Sequence, residues 1–397
     1  MKMLQSLLCA LMLMSMVIPS NAAEKYILDD FETNTTVSGA GGLTMIDDRY
    51  YLHTAINPNL SWLGAEVGLG LNLFLPLQGG DNSSPQLDMI TIRHFGYNYK
   101  DQFGFRWGRL SNITFGHGLL MDNYDSGSAG STTFSNEQAG FLGFASYGRF
   151  RTDALITYTQ VQAGRLSYRL SVLPVINTPL MLGLNVVRDK DGVDILRTPQ
   201  MGYSIDFGIP LAGEFLTLYS EFAELKQDSQ ISELPFESSN GRRGFSAGGK
   251  GDIFNLISYI AEYRYIQSDF IPGYFNSTYE STKRPTPNDS DRHGFLIGAY
   301  THLMNDYIKA GATYESVTQS AIASVGWRQI GKTVGVINYT IPPQGRDAAL
   351  MEANVLYKTG GILDYVLQFR RQYNPNGNNI DSYGVSFRAN LDSVLPF

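Results

Sequence analysis

The sequence predicts an all-β fold, a closed antiparallel transmembrane β-barrel of about 18 strands, with roughly 16 to 20 allowed by uncertain boundaries. Three observations support this prediction. Apolar and polar residues alternate along many segments of about ten residues, as in strands that separate an apolar from an aqueous medium. Short connections alternate with long ones. After the first residues, no stretch reaches the roughly 18 continuous apolar residues of a membrane-spanning helix.

The amino terminus predicts export and sets the expected domain boundaries. Lys2 precedes an apolar run that ends in the small residues Ser20, Asn21, Ala22 and Ala23, the pattern of a secretory signal peptide. We therefore assign residues 1–23 to a signal peptide and residues 60–397 to the barrel. For residues 24–59 three roles stay open: extra strands, a cap or a plug.

Composition excludes several classes of protein. The chain has 30 Lys and Arg residues against 37 Asp and Glu residues, a net charge of −7. A nucleic-acid partner is not expected, because it would require a basic surface. The only cysteine, Cys9, lies in the predicted signal peptide, so the exported chain has no disulfide. The 41 Gly, 24 Tyr and 22 Phe residues are spread along the chain, which favours one large repetitive β domain.

Alternation identifies the predicted strands in order. The first clear register contains Leu63, Ala65, Val67, Leu69, Leu71 and Leu73, against Trp62, Gly64, Glu66, Gly68, Gly70 and Asn72. Further strands are predicted near residues 95–107 (two strands), 138–147, 153–160, 165–172, 180–188, 200–209, 215–225, 244–251, 256–266, 294–303, 306–316, 320–329, 333–341, 348–358, 363–373 and 382–397. Long connections rich in Gly, Asn, Asp, Ser or Pro separate pairs of these strands, as in outer-membrane barrels.

Six aromatic residues surround the predicted turn at residues 100–102. They are Phe95, Tyr97, Tyr99, Phe103, Phe105 and Trp107. Such clusters form aromatic girdles at membrane boundaries, where amphipathic rings prefer the headgroup level. The alternative is an ordinary cross-strand aromatic cluster.

The carboxy-terminal strand carries a family resemblance. Tyr383, Val385, Phe387, Ala389 and Leu391 alternate with Ser382, Gly384, Ser386, Arg388 and Asn390, and the chain ends on Phe397. This terminus resembles the strand by which outer-membrane β-barrel proteins of Gram-negative bacteria are recognised for assembly. The resemblance implies an outer-membrane location, contact with outer-membrane lipid, and recognition by the barrel-assembly machinery through Phe397.

The porin-like character of this resemblance implies a function. We expect a channel for passive diffusion of ions and small hydrophilic solutes, with no cofactor. A homotrimer is compatible with the resemblance to porins, although the sequence shows no distinct apolar protomer interface. Two other functions stay open: a non-channel surface barrel for adhesion or envelope contact through its long loops, and a substrate-specific facilitator.

Charged residues in the polar registers are the candidate pore-lining residues. They are Arg106, Arg165, Arg169, Asp206, Glu262, Arg264, Arg328, Arg370 and Arg388. Charges inside a water-filled pore set the field that an ion crosses. The alternative is that opposite charges on the wall neutralise one another, as Glu262 and Arg264 would.

The connection at residues 112–131 is the candidate constriction loop. Leu119, Leu120 and Met121 form an apolar group near His117, and Asp122 and Asp125 follow it. We expect this loop to fold inward, pack on the barrel wall and present its carboxylates to the lumen, similar in character to the inward acidic loop of general porins. The alternative is an outside loop with a small apolar cluster.

A second long connection, residues 269–292, contains Phe270, Tyr274, Phe275 and Tyr279. Rings in such a loop stack on sugars, contact another surface, or stabilise the loop itself. An enzyme is not predicted, because none of the five histidines lies in a GxSxG or HExxH motif. No catalytic, metal-binding or cofactor-binding residues are assigned.

Overall fold

Strands and turns make up the part of the chain that the computed structural model describes. Described are residues 36–46, 49–62, 64–76, 86–100, 102–126, 139–171, 179–190, 200–212, 215–227, 242–254, 256–276, 279, 290–304, 307–341, 349–360, 363–373 and 380–389. Within these ranges no helix has the length and apolar character needed to cross a membrane. The predicted signal peptide and Phe397 lie outside the described residues.

The described residues form 23 strands, of which 20 belong to one sheet and three to another. In chain order they are β1 (Thr36–Ile46), β2 (Arg49–Trp62), β3 (Ala65–Pro76), β4 (Gln86–Tyr99), β5 (Phe103–Arg109), β6 (Ile113–Phe115), β7 (Met121–Tyr124), β8 (Ala139–Tyr147), β9 (Phe150–Thr157), β10 (Val161–Ser171), β11 (Pro179–Asp189), β12 (Gln200–Pro210), β13 (Thr217–Gln227), β14 (Arg242–Ile253), β15 (Ile257–Ile266), β16 (Phe275–Asn276), β17 (Arg292–Leu303), β18 (Ile308–Glu315), β19 (Ser320–Ile330), β20 (Thr333–Ile341), β21 (Leu350–Tyr357), β22 (Leu363–Gln372) and β23 (Ile380–Ala389). Strands β6, β7 and β16 form the small sheet.

In the main sheet, each strand pairs antiparallel with the next strand along the chain. Only the small-sheet strands are skipped, between β5 and β8 and between β15 and β17. The first strand, β1, also pairs with the last, β23, at five positions from Val37 opposite Ala389 to Gly41 opposite Val385.

The strand count is 20, the upper limit of the predicted range rather than its centre. The two strands beyond the predicted eighteen are β1 and β2, which begin at Thr36 and Arg49, within the segment for which extra strands, a cap or a plug were left open. Glycine in β1 and Pro58 in β2 weaken the strand signal, because both residue types are unfavourable within strands. Pairing with β3 and β23 overrides that local preference.

The two ends of the sheet differ in their connections. At one end, the short-turn end, neighbouring strands are joined by turns such as the one at Gly148 and the one at Gly331, both with positive φ. Glycine accommodates this conformation without a steric penalty. At the other, long-loop end lie most of the long connections, among them the two between β5 and β8 and between β15 and β17. The predicted alternation of short and long connections is present.

Burial is reversed relative to a water-soluble protein. On β12, Ile205 and Phe207 are 45% and 40% exposed, whereas the neighbouring Ser204 and Asp206 are buried. The same alternation continues on β11, where Leu184 is exposed and Asn185 is buried. We call the face that carries Asn185, Ser204 and Asp206 the inner face and the other the outer face. An outer face of this kind is suited to hydrocarbon.

Aromatic rings cluster on exposed positions at the short-turn end. They include Tyr99, Phe103, Tyr147, Phe150, Phe215, Phe254, Tyr307, Tyr357 and Tyr365. Within the predicted cluster, the Tyr99 and Phe103 rings stack at 5.3 Å and Phe95 packs on Phe105 at 5.5 Å. The cluster is therefore both a set of cross-strand contacts and part of a wider aromatic band.

Pairing between β1 and β23 predicts a specific disulfide. Ala40 lies directly opposite Ser386, and directly opposed residues have Cα atoms about 4.5 to 5.5 Å apart, within the range a disulfide spans. The variant Ala40→Cys/Ser386→Cys should form an intramolecular bond on mild oxidation, seen as a faster-migrating band in non-reducing electrophoresis.

The matched control is Ala40→Cys/Ser382→Cys. Its second cysteine lies four residues away along β23, a displacement of about 13 Å, which a disulfide cannot bridge. Equal cross-linking of both variants, or of neither, would contradict the observed register.

Candidate functional site

The small sheet joins two connections that are far apart in sequence. Strands β6 and β7 pair antiparallel, and β16 pairs parallel with β7, with Phe275 opposite Met121 and Asn276 opposite Asp122. We call residues 110–126 loop A and residues 267–279 loop B. Both loops leave the long-loop end of the main sheet, and together they form what we call the loop assembly.

Loop A is fastened to the inner face by Glu221 of β13. The backbone N–H groups of His117 and Leu119 both donate to Oε2 of Glu221, at 2.7 and 3.1 Å. Glu221 is fully buried, so these two bonds are shielded from water and strong. Loop A therefore folds inward onto the wall, as expected from its apolar group.

The tip of loop A reaches far towards the short-turn end. The His117 imidazole packs on the Tyr219 ring with centroids 4.5 Å apart, and its Nε2 lies 3.0 Å from the carbonyl oxygen of Phe207. Lys250 Nζ lies 3.5 Å from His117 Nδ1. Because Phe207 is three residues from the end of β12, loop A follows most of the length of this strand.

Loop B packs on loop A and on the wall. The N–H groups of Gly273 and Phe275 donate to the carbonyls of Leu119 and Leu120 at 2.9 and 3.2 Å. The Tyr279 hydroxyl donates to Oδ2 of Asp189 on β11 at 2.6 Å, and both side chains are buried. The four predicted rings of this connection are all buried, so here they stabilise the loop.

The base of loop B is held by Asp291. Its carboxylate accepts hydrogen bonds from the Tyr265 hydroxyl at 2.7 Å and from the N–H of Ser268 at 3.0 Å. The Tyr265 bond, followed by the Ser268 bond, lowers the pKa of Asp291, because both bonds favour the charged carboxylate.

Glycines on the inner face provide the space for loop side chains. A Cβ at Gly202 would lie 2.5 Å from Leu120 Cδ1, and a Cβ at Gly244 would lie 2.5 Å from Phe270 Cε1. These distances are below normal van der Waals contact, so a larger residue at either position would force Leu120 or Phe270 to shift. The two residues form sockets on β12 and β14.

An apolar cluster connects the loop assembly to the wall. Its wall members are Leu142, Phe144, Leu155, Val161, Ala163, Val187, Ala223, Leu225 and Ile266. On strands β8 to β13 these residues occupy the inner register near the long-loop end, where a water-filled barrel would have polar side chains. In the sequence, the polar register of these strands becomes apolar towards the long loops. This change could have predicted the part of the wall on which the loops pack.

The two candidate carboxylates of loop A bind side chains that lie in or next to the loop. Asp125 forms a salt bridge with Arg109, with Oδ2 at 3.1 Å from the guanidinium. Asp122 accepts a hydrogen bond from the Thr114 hydroxyl at 3.2 Å. Their role at a constriction, together with that of His117, stays a prediction.

Several pore-lining candidates form ion pairs on the inner face. Arg165 pairs with Asp206 at 3.1 Å, and Arg264 pairs with both Glu262 and Glu315. For these residues the structure matches the alternative in which opposite charges neutralise one another. Buried ion pairs of this kind satisfy each other's charges and add little net stability.

The remaining candidates are distributed over other strands. Arg370 of β22 lies 3.6 Å from Glu352 of β21. Arg106, Arg169 and Arg328 lie on β5, β10 and β19, and the backbone of Arg388 lies on β23 opposite Asp364. The structure thus brings together Arg165, Asp206, Glu262 and Arg264 near loop A and separates them from the others. A pore-lining role stays a prediction for all nine.

One Ser, His and Asp group lies on the inner face near the short-turn end. The Ser258 hydroxyl donates to Asp252, and its Oγ lies 2.9 Å from His302 Nε2. In a nucleophilic triad the histidine takes the serine proton and the carboxylate orients the histidine. Here the carboxylate of Asp252 contacts the serine instead of the histidine, so the arrangement is not that of a triad. In the described part of the chain, no group of three or more His, Cys, Asp or Glu residues could hold a metal ion.

Comparisons with known proteins give low-identity structural matches. No family model and no curated protein matches the chain. A triple mutant of Rhodopseudomonas blastica porin is 13% identical, with 89% of this chain and 99% of that chain covered and a TM-score of 0.33. For Pseudomonas aeruginosa OpdL the values are 10%, 89%, 96% and 0.38. For Wzi, an Escherichia coli outer-membrane protein involved in group 1 capsule assembly, they are 11%, 89%, 83% and 0.37.

The chain is similar to outer-membrane β-barrel proteins, including porins. The predicted resemblance is confirmed at that level, and no subfamily is identified. At these identities and TM-scores the matches carry no argument about function, which depends on the residues of this chain.

Attachment of loop A to Glu221 predicts a loss of stability on truncation. Glu221→Ala leaves two buried N–H groups without their acceptor and should lower the free energy of unfolding in detergent by about 3 kcal/mol. The same change should make residues 110–126 susceptible to protease. Denaturant titration and mapping of the cleavage products measure both effects.

Glu352→Ala is the matched control. This glutamate also lies on the inner face, in a partly exposed ion pair, and its loss should cost less than about 1 kcal/mol. Equal losses in the two variants would show that Glu221 does not hold loop A.

Proposed function

We propose that the chain forms a closed barrel in the outer membrane and serves as a channel for passive diffusion of ions and small hydrophilic solutes. The pairing of β1 with β23 supports closure, because an unpaired sheet edge in hydrocarbon would cost several kcal/mol for each backbone polar group. Export through the predicted signal peptide of residues 1–23 belongs to the same proposal.

Reversed burial is the observation that carries the proposal. Large apolar side chains such as Leu184, Ile205 and Phe207 are exposed on the outer face, while charged groups such as Asp206 and Arg264 are buried on the inner face. In water this arrangement would be strongly unfavourable, since apolar exposure costs roughly 25 cal/mol per Å². Hydrocarbon outside and a polar interior inside account for both faces.

Adhesion through the long loops has less support. The rings of Phe270, Tyr274, Phe275 and Tyr279 were the candidate contact residues, and all four are buried in the loop assembly. Loops A and B fold inward, so these side chains do not offer an outer contact surface. A substrate-specific facilitator is better supported than adhesion as the alternative function. The loops partly fill the interior, and a narrower passage selects among solutes.

Membrane assembly and oligomeric state are further parts of the proposal. Recognition of the terminal strand by the barrel-assembly machinery rests on the sequence pattern that ends in Phe397. The lipid partner follows from the exposed apolar outer face. The proposal that three copies of the chain form a homotrimer rests on the resemblance to porins. No cofactor takes part in passive diffusion.

Reconstitution tests the proposed function. The purified protein in a planar bilayer should give stepwise ion currents, and vesicles that contain it should swell in small sugars at a rate linear in concentration. Heat-denatured protein is the control. Saturable flux for one solute would favour the facilitator. Insulating bilayers combined with binding to cells would favour the surface barrel, and release of fatty acids from the lipid would favour an enzyme.

A further inference from the structure

The loop assembly occupies one side of the inner space. Its apolar cluster includes wall residues of β8 to β11, β13 and β15. Loop A contacts β12 and β13 through Gly202 and Glu221, and loop B contacts β11 and β14 through Asp189 and Gly244. Among the described side chains of β4 and of β19 to β22, none belongs to the cluster.

The wall away from the loop assembly carries a continuous row of polar residues. Through direct strand pairing, Ser324 of β19 lies opposite Asn338, Asn338 opposite Glu352, and Glu352 opposite Arg370. Two of these contacts are side-chain interactions: Ser324 donates to Asn338 at 2.8 Å, and Arg370 lies 3.6 Å from Glu352. The row crosses four neighbouring strands at one level of the sheet.

Exposure separates this wall from the one beneath the loop assembly. The side chains of Arg370 and Glu352 are 33% and 39% exposed. In the Arg151–Asp153 pair of β9 the corresponding values are 13% and 3%. The neighbouring inner-register residue Gln368 is also exposed. Since all of these residues lie on the inner face, the exposure marks open space inside the ring of strands.

We propose that the solute passage runs along β20 to β22, beside the loop assembly, and that Glu352 and Arg370 set its charge selectivity. This inference rests on the proposed channel function. Exposed ion pairs are weak, so both charges stay available to ions that pass. The buried pairs on the opposite wall are covered by protein, so passing ions do not reach them. Loop A supplies no comparable charge from Asp125, which is paired with Arg109.

The chemistry of this row indicates its solute class. An exposed carboxylate and an exposed guanidinium next to an amide and a hydroxyl offer both donors and acceptors, together with charges of both signs. Small hydrophilic solutes that carry charge of either sign, or both, match this lining. With both residues present the pair is nearly neutral, and each single neutralisation leaves one unbalanced charge in the passage.

Reversal potentials in a KCl gradient test the inference. Glu352→Gln should shift the permeability ratio towards chloride and Arg370→Gln towards potassium, each by up to roughly fivefold, the factor set by two unit charges about 4 Å apart in water. The double variant should return close to the wild-type ratio. All variants are first compared with the wild type for β-sheet circular dichroism and protease resistance.

The matched controls neutralise the pair that is buried on the other wall. Asp153→Asn and Arg151→Gln should leave the permeability ratio unchanged. As a second measurement, Gln368→Cys reacted with a sulfonate-bearing thiol reagent should reduce the current. Ser246→Cys, at a buried position on the inner face of β14, should not reduce the current.

The outcomes separate the two proposals. A correctly folded wild-type protein that carries no current overturns the channel function, and this inference with it. Normal currents with unchanged permeability ratios in Glu352→Gln and Arg370→Gln overturn the position of the passage alone. The same conclusion follows if the selectivity changes only in the Asp153 and Arg151 variants.

Discussion

In the barrel that we propose, a single layer of strands separates hydrocarbon from water, and this separation accounts for the rest of the structure. Because the outer face carries exposed side chains such as Leu184 and Phe207, backbone N–H and C=O groups have to be satisfied by neighbouring strands. Each strand of the main sheet pairs with its neighbours along the chain, and β1 also pairs with β23 at five positions. Many polar side chains lie on the inner face, where they pair with one another or with the loops, whereas Glu224, Lys226 and Arg243 form ion pairs on the outer face near the long-loop end.

The inner space is divided by the loops that fold into it. Glu221 binds loop A through two backbone N–H groups, and Asp189 binds loop B through Tyr279. Gly202 and Gly244 leave room for the apolar side chains of the loops. The wall beneath the loops is therefore packed and paired, while Glu352 and Arg370 on the far wall keep exposed charges. This asymmetry connects the fold with the proposed passage.

Local patterns made most of the strands predictable, because a period of two is visible in any short stretch of sequence. Strands β1 and β2 were only one of three alternatives for residues 24–59, since Gly-rich and Pro-containing segments depend on pairing with distant partners. The inward fold of loop A followed from its apolar group, yet its anchor lies 104 residues away from His117. Two further features depend on contacts between segments with no shared local pattern. They are the parallel pairing of β16 with β7 and the salt bridge between Arg109 and Asp125.

Accessibility along β12 in a lipid bilayer tests the division between the two faces most directly. Single spin labels at Tyr203, Ser204, Ile205, Asp206 and Phe207 can be probed with oxygen, which enters lipid, and with a polar nickel chelate, which stays in water. The account predicts strong relaxation by oxygen at 203, 205 and 207 and weak relaxation at 204 and 206. Relaxation by the nickel chelate at all five positions, or an oxygen pattern without period two, would contradict it.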